Sequence, residues 1–188
     1  EDDGIVRLQD VWGSGPQDVF VVGTDGLILH YDGNAWTSMA SGVSDDLYGV
    51  HGTGPGNVLA VGDRGAVLRY TGAAWAAVAG GPDVVLRDAF TLGGDGAVVV
   101  GDNGELLRCG GAGWTDMHSG VFKAFYGIGG SGWNNVFAVG EAGTVLRYDG
   151  ASWVAQASTT VRDLYGVWGD DPGHVVAVGA KGAIVHYD

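Results

Sequence analysis

Two carboxylates are the residues best placed to do chemistry. Asp10 and Asp88 fall at one position of a repeating unit, a position that the other three units fill with Gly49, Gly127 and Gly166. Two carboxyl groups near one axis can hold a cation, or divide the acid and base roles of glycoside hydrolysis; the plainer reading leaves both solvated in a wet channel. Aromatic side chains offer a second chemistry, stacking on a sugar ring or on a partner's surface. Trp133 stands apart here, because its counterparts are the turn formers Pro16, Pro55, Gly94 and Pro172, which places it in an exposed loop as the best single contact candidate. Trp12, His51 and Trp168 share another position with Phe90 and Gly129; that variation points to local packing at one mouth of a ring, where the three join Trp133, Asp10 and Asp88 as candidate ligand-binding residues.

Trp36, Trp75, Trp114 and Trp153 recur at equal spacing. They read as sugar platforms or, in preference, as wedges between an outer strand and the adjacent sheet. One position is basic in every unit, as His30, Arg69, Arg108, Arg147 and His186. Five such groups can in principle bind an anion, but each is expected to pair with an acidic or carbonyl group of its own or the neighbouring unit, because an unpaired buried charge is prohibitive. The acidic clusters Glu1-Asp2-Asp3, Asp45-Asp46 and Asp170-Asp171 lack the spacing of a calcium loop. No Ser-His-Asp order, Walker loop, dinucleotide fingerprint or zinc spacing is found, and the five histidines never fall at ligand spacing on one element. The expectation is therefore no catalytic residue, no metal, no cofactor and no enzyme.

The elements that must position these groups follow from the repeat. Val22-Gly23, Val61-Gly62, Val100-Gly101, Val139-Gly140 and Val178-Gly179 recur without insertion or deletion every 39 residues. A second glycine follows three residues after each, at Gly26, Gly65, Gly104, Gly143 and Gly182, framing two-residue connections such as Asp63-Arg64 that suit a tight hairpin with positive φ. Around that hairpin each unit reads as four short strands: a Leu-x-x-Val-x-Gly segment, a run ending in Val-Gly, a run such as Thr144–Tyr148, and one opening with tryptophan. Consecutive apolar residues such as Val67 and Leu68 imply sheets buried on both faces. A period near 40 with four strands is the footprint of a propeller blade.

The chain is thus expected to be an all-β, five-bladed β-propeller of 39-residue repeats, with four antiparallel strands per blade, closing head to tail. A single domain spans 1–188, with units 1–39, 40–78, 79–117, 118–156 and 157–188. The last unit stops before its tryptophan strand, so blade five lacks its outer strand and leaves Ala183 to Tyr187 as an edge open to self-association, unless residues 1–7 pair along it.

Composition agrees. Hydrophobic residues make up 46%, charged residues 16%, and glycine reaches 37 copies, a pattern of many short strands and turns. The net charge of −13 repels phosphate backbones and anionic membranes, so nucleic acid is a poor partner. No apolar run approaches a membrane span, none that looks like a leader opens the chain, and Cys109 is alone, so packing rather than a disulfide must hold the fold.

Tyr31-Asp32-Gly33-Asn34-Ala35-Trp36 and Tyr148-Asp149-Gly150-Ala151-Ser152-Trp153 resemble the Asp-Gly-x-x-Trp core of bacterial-neuraminidase-type, Asp-box-like repeats. The fuller unit is similar to repeats of secreted and surface proteins of myxobacteria, and the likeness covers essentially the whole chain. It implies a propeller blade and an extracellular or cell-surface bacterial setting. Against neuraminidase chemistry, the Asp and Trp stand closer than in that pattern, the third unit has Cys109-Gly110 in place of Tyr-Asp, and no arginine cluster or tyrosine nucleophile is identifiable. The reading is a non-enzymatic binding or scaffold module with a protein or glycan partner; the alternatives are a lectin with sites between blades and a glycoside hydrolase-like domain.

Overall fold

The computed structural model describes residues 5–94, 96–110, 113–171 and 173–187, and these form short strands joined by turns. Blade one is β1 (Leu8–Gly15), β2 (Asp18–Gly23), β3 (Ile28–Tyr31) and β4 (Trp36–Met39). Blade two comprises β5 (Leu47–Gly54), β6 (Asn57–Gly62), β7 (Val67–Tyr70) and β8 (Trp75–Ala77), and blade three β9 (Leu86–Thr91), β10 (Ala97–Gly101), β11 (Leu106–Gly110) and β12 (Gly113–Asp116). Blade four follows with β13 (Phe125–Gly132), β14 (Asn135–Gly140), β15 (Val145–Tyr148) and β16 (Trp153–Ala155); β17 (Leu164–Asp171), β18 (His174–Gly179) and β19 (Ala183–Tyr187) make blade five. Each blade is an antiparallel meander in chain order, four-stranded in the first four and three-stranded in the fifth. The strand that opens with tryptophan is the outer one, and β19 ends its sheet without it. Of residues 1–7, the first four lie outside the described residues and Ile5 to Arg7 enter no strand.

The Val-Gly-x-x-Gly hairpin is tight for a reason that reaches beyond its own blade. Its left-handed residues are the second connecting residue and the glycine after it, as in Arg64 (φ 51°) and Gly65 (φ 71°), one place later than the sequence spacing suggested. The segment leading to the next blade crosses this turn, so a Cβ on Gly65 would strike the Pro82 carbonyl, while the segment entering the blade's own first strand lies against Gly62, where a Cβ would strike the Asp46 carbonyl. Gly182, in the last blade, has the same φ sign (73°) and open space around it. Gly182→Ala is therefore expected to cost only the backbone term, about 1 kcal/mol, and Gly65→Ala at least about 2–3 kcal/mol because a backbone carbonyl must also move. Urea unfolding of the two variants checks the difference.

The core lies between blades rather than within them. Phe20, Val22 and Ile28 of blade one pack with Leu47, Val50, Val58, Ala60, Leu68 and Trp75 of blade two. Equivalent clusters join blade two to three, three to four and four to five. Head-to-tail closure of the five blades is not seen: among the described residues no apolar cluster joins blade five to blade one, and the faces of β1 and β19 that closure would hide are exposed. The five sheets form an open arc.

Candidate functional site

Each blade sends one side chain into the centre of the arc by the same device. In every innermost strand the pairing slips by one residue, between Leu8 and Asp10, Leu47 and Gly49, Leu86 and Asp88, Phe125 and Gly127, and Leu164 and Gly166. The residue skipped is a β-bulge, and a bulge re-aims its side chain. The five bulged residues are Gln9, Tyr48, Arg87, Tyr126 and Tyr165, and with Asp163 they line a central cavity of about 390 Å³.

Arg87 organises this mouth. Its Nε donates to Asp102 Oδ1 at 2.6 Å and its Nη2 to Asp102 Oδ2 at 3.0 Å, a bidentate grip that fixes the guanidinium plane. So held, the group lies 5.8 Å from the Tyr48 ring centre and 5.5 Å from that of Tyr126. Tyr126 in turn leans on Tyr165, with ring centres 5.5 Å apart. Burial, followed by the negative charge of Asp63 and the hydrogen bond the phenol donates to it, pushes the Tyr48 phenol up to about 12. Burial and the Asp163 and Glu141 charges likewise raise that of Tyr126. The phenols of Tyr48 and Tyr126 therefore serve as neutral donors, and all three rings offer flat apolar faces.

Asp10 and Asp88 do not line the mouth as a pair. Asp88 Oδ1 accepts from the Ala89 N–H at 2.7 Å and Oδ2 from the Ile128 N–H of the next blade at 2.9 Å. Asp10 repeats this with Val11 and with Val50 of blade two, both at 2.8 Å. Each carboxylate is thus a clip between successive inner strands, with both oxygens occupied, rather than a group solvated in the channel. The glycines alternate with them because the inner strands converge: a Cβ on Gly49 would lie 2.8 Å from the Asp88 Cα. Burial pushes the Asp88 carboxyl up to about 7 against the pull of its two N–H donors, and burial raises Asp10 as well.

Trp133 is half-buried rather than an exposed loop residue, with Arg108 of blade three 4.4 Å above its ring. It joins the apolar cluster between blades three and four and borders a shallow hollow of about 300 Å³ with Ser131 and Asn134. Trp12, His51 and Phe90 form a stair across the first three blades, with ring centres 6.0 Å and 4.9 Å apart. The His51 Nδ1 accepts from the Thr91 N–H at 3.1 Å and lies 2.7 Å from its hydroxyl, and burial drives the imidazole pKa down to about 4, so the ring packs as a neutral group. Trp168, the last member of this position, has no blade in front of it and is exposed.

The remaining repeated polar groups are structural. His30 meets Asp18 at 2.7 Å, Arg69 donates to Asn57 at 2.8 Å, and Arg147 lies over Phe137, as pairing within the blades requires. Asp32 Oδ1 accepts the N–H groups of Asn34 and Ala35, and Asp149 those of Ala151 and Ser152, which closes the turn before each outer strand and holds both carboxyls below their ordinary range. Trp75 wedges edge-on against Phe20 of the preceding blade at 5.9 Å, and Trp114 donates to the Ala79 carbonyl at 2.9 Å. Asp170, Asp171 and His174 gather at one exposed turn, where His174 Nδ1 lies 2.8 Å from Asp171.

Sequence reasoning missed the mouth residues, which stand immediately before the Asp and Gly positions of the innermost strand. A signal existed, since Gln9, Tyr48, Arg87, Tyr126 and Tyr165 lie 39 residues apart in the innermost strand.

Fold and mouth together define a β-propeller module that displays a cluster of tyrosines and one pinned arginine at its centre. The solved structures it resembles are propellers too. They include the WD40 β-propeller domain of Doa1 (12% identity, TM-score 0.78, 97% of this chain and 65% of that one). They also include YCF48 bound to D1 peptide (17%, 0.74, 97% and 63%) and YCF48 from Cyanidioschyzon merolae (18%, 0.73, 96% and 66%). The chain therefore spans about two thirds of the length of these proteins. No family model and no curated protein matches it, so the likeness supports the propeller and not the neuraminidase-type repeats or a myxobacterial source.

Proposed function

We propose that this propeller is a non-enzymatic binding module whose contact surface is the central mouth, and that its partner is a segment of another protein. The single observation that carries this is the convergence of five bulged side chains, three of them tyrosine and one a clamped arginine, on one cavity. Tyrosine and arginine dominate the residues that supply binding energy at protein interfaces, because they offer large rigid faces with a hydrogen-bonding end. Arg87 is already oriented by Asp102, so little conformational freedom remains to be lost on contact. One propeller of this shape, YCF48, has been seen bound to a D1 peptide, which supports a peptide over a glycan. With a net charge of −13 and Asp63, Asp102 and Asp163 around the rim, the segment taken is neutral or basic. Hydrolysis finds no support, since both oxygens of Asp10 and Asp88 are held by backbone N–H groups.

Selection of displayed random peptides against the chain, followed by calorimetry on enriched sequences, tests this. Arg87→Ala and Tyr126→Ala are each expected to weaken binding about tenfold or more, an effect of at least 1.4 kcal/mol. Peptides that bind both variants as well as the unaltered chain would place the contact elsewhere, and a glycan array with signal where no peptide enriches would favour the lectin reading.

A further inference from the structure

The two ends of the arc are the unmatched halves of one more blade-to-blade seam. In the seam between blades one and two, the receiving face is Leu47, Val50, Val58, Ala60, Leu68, Tyr70 and Trp75, all buried. The residues 39 places earlier are Leu8, Val11, Val19, Val21, Leu29, Tyr31 and Trp36, the same types but for valine in place of alanine. Yet Leu8 is 59% exposed where Leu47 is 0%, and most of this face lines an open apolar hollow of about 380 Å³. At the other end, the face that blade three presses into blade four is Val98, Val100 and Leu106. Its equivalents in blade five are Val176, Val178 and Ile184, and here Ile184 is 70% exposed.

Two glycines say independently that something belongs there. Gly49 and Gly127 are small because the next blade's backbone would stand 2.8 Å and 2.7 Å from a Cβ, whereas a Cβ on Gly166 would meet nothing but its own Val178 at 3.6 Å. Gly166 is thus shaped for a following inner strand. Gly52 lies under the Trp12 ring, and its equivalent Gly13 meets only residues of its own blade, so it is free to take a tryptophan of the Trp168 kind. Exposed apolar faces of this extent mark association surfaces.

We infer that blade one of one molecule receives blade five of a second copy, with Trp168 over Gly13 and Ile184, Val178 and Val176 against Leu8, Val11, Val19 and Trp36. The contact is heterologous, because the two faces differ, and it extends the same seam that the chain already forms four times. It involves neither the central mouth nor the free edge of β19.

Sedimentation across a range of concentrations tests it. The unaltered chain is expected as dimers or larger species, against 19.2 kDa for one copy. Val11→Glu and Ile184→Glu alter exposed side chains and are each expected to weaken association at least about a hundredfold, because either change places a charge in every seam. Mixed, they should form a one-to-one dimer that grows no further, since each supplies the face the other lacks. Leu8→Glu with Trp168→Glu repeats the test at other positions, and circular dichroism confirms that each variant is folded. A chain that stays at 19.2 kDa, a single variant that still self-associates, or a mixture that remains monomeric overturns the inference.

Discussion

Between pH 4.5 and 8 the folded chain is expected to lose stability, and the carboxyl of Asp88 is expected to account for about 3–4 kcal/mol of the loss. In the unfolded chain that group releases its proton near 3.8, whereas burial in the fold pushes it up to about 7. Between these values the folded state keeps a proton that the unfolded state has given up. The stabilisation is complete below the lower value and disappears as pH rises through the upper one. Asp10, raised by the same cause, acts in the same sense. Asp32, Asp149 and Asp171, lowered by backbone N–H donors, act in the opposite sense and only at more acid pH. Repulsion among the excess acidic groups also grows with pH, so the informative quantity is the difference between the unaltered chain and Asp88→Asn. The variant presents an amide NH2 to one of two N–H donors, loses that bond, and should be less stable at pH 4.5 and no less stable at pH 8. Denaturation profiles with parallel pH slopes for the two proteins would show that Asp88 does not titrate as the burial of its clip requires.

Truncation of one tryptophan should cost about 3–5 kcal/mol, and truncation of its repeat equivalent less than about 1 kcal/mol. Trp75 is 8% exposed, edge-on to Phe20 of the preceding blade and 5.4 Å from the Tyr70 ring. Trp36 leans on Tyr31 in the same way at 5.3 Å, but no blade precedes it and it is 50% exposed. Trp75→Ala therefore opens a cavity in the seam of blades one and two, while Trp36→Ala mostly removes surface already in water. Chemical unfolding at a concentration where the chain sediments as a monomer separates the two, since Trp36 also belongs to the face assigned to a second copy. Equal losses would mean that the tryptophan position acts through its own blade rather than through the seam.

The clips at Asp10 and Asp88 show how a correct position can carry the wrong chemistry. Their place on the innermost strand was readable from the repeat, and so was their alternation with glycine. What could not be read was the direction of the carboxylates, because a bulge beside each one shifts the pleat and turns the preceding residue, not the aspartate, into the channel. Bulges have no residue-type signature as firm as that of a hairpin turn. The exposure of Trp133 was hidden in the same way: its turn-forming counterparts located the loop, but the Arg108 over its ring belongs to another blade.

The amino-acid sequence by itself determined the number of blades, the strands within them, the hairpin glycines and the three-stranded fifth sheet, because strand patterning and turn geometry are settled by residues a few places apart. Only the tertiary structure decided that the arc stays open, that Leu8 is wet where Leu47 is dry, and that Gln9, Tyr48, Arg87, Tyr126 and Tyr165 meet at one mouth. Burial is a property of what stands opposite, and identical residues in identical blades differ whenever one of them lacks a neighbour.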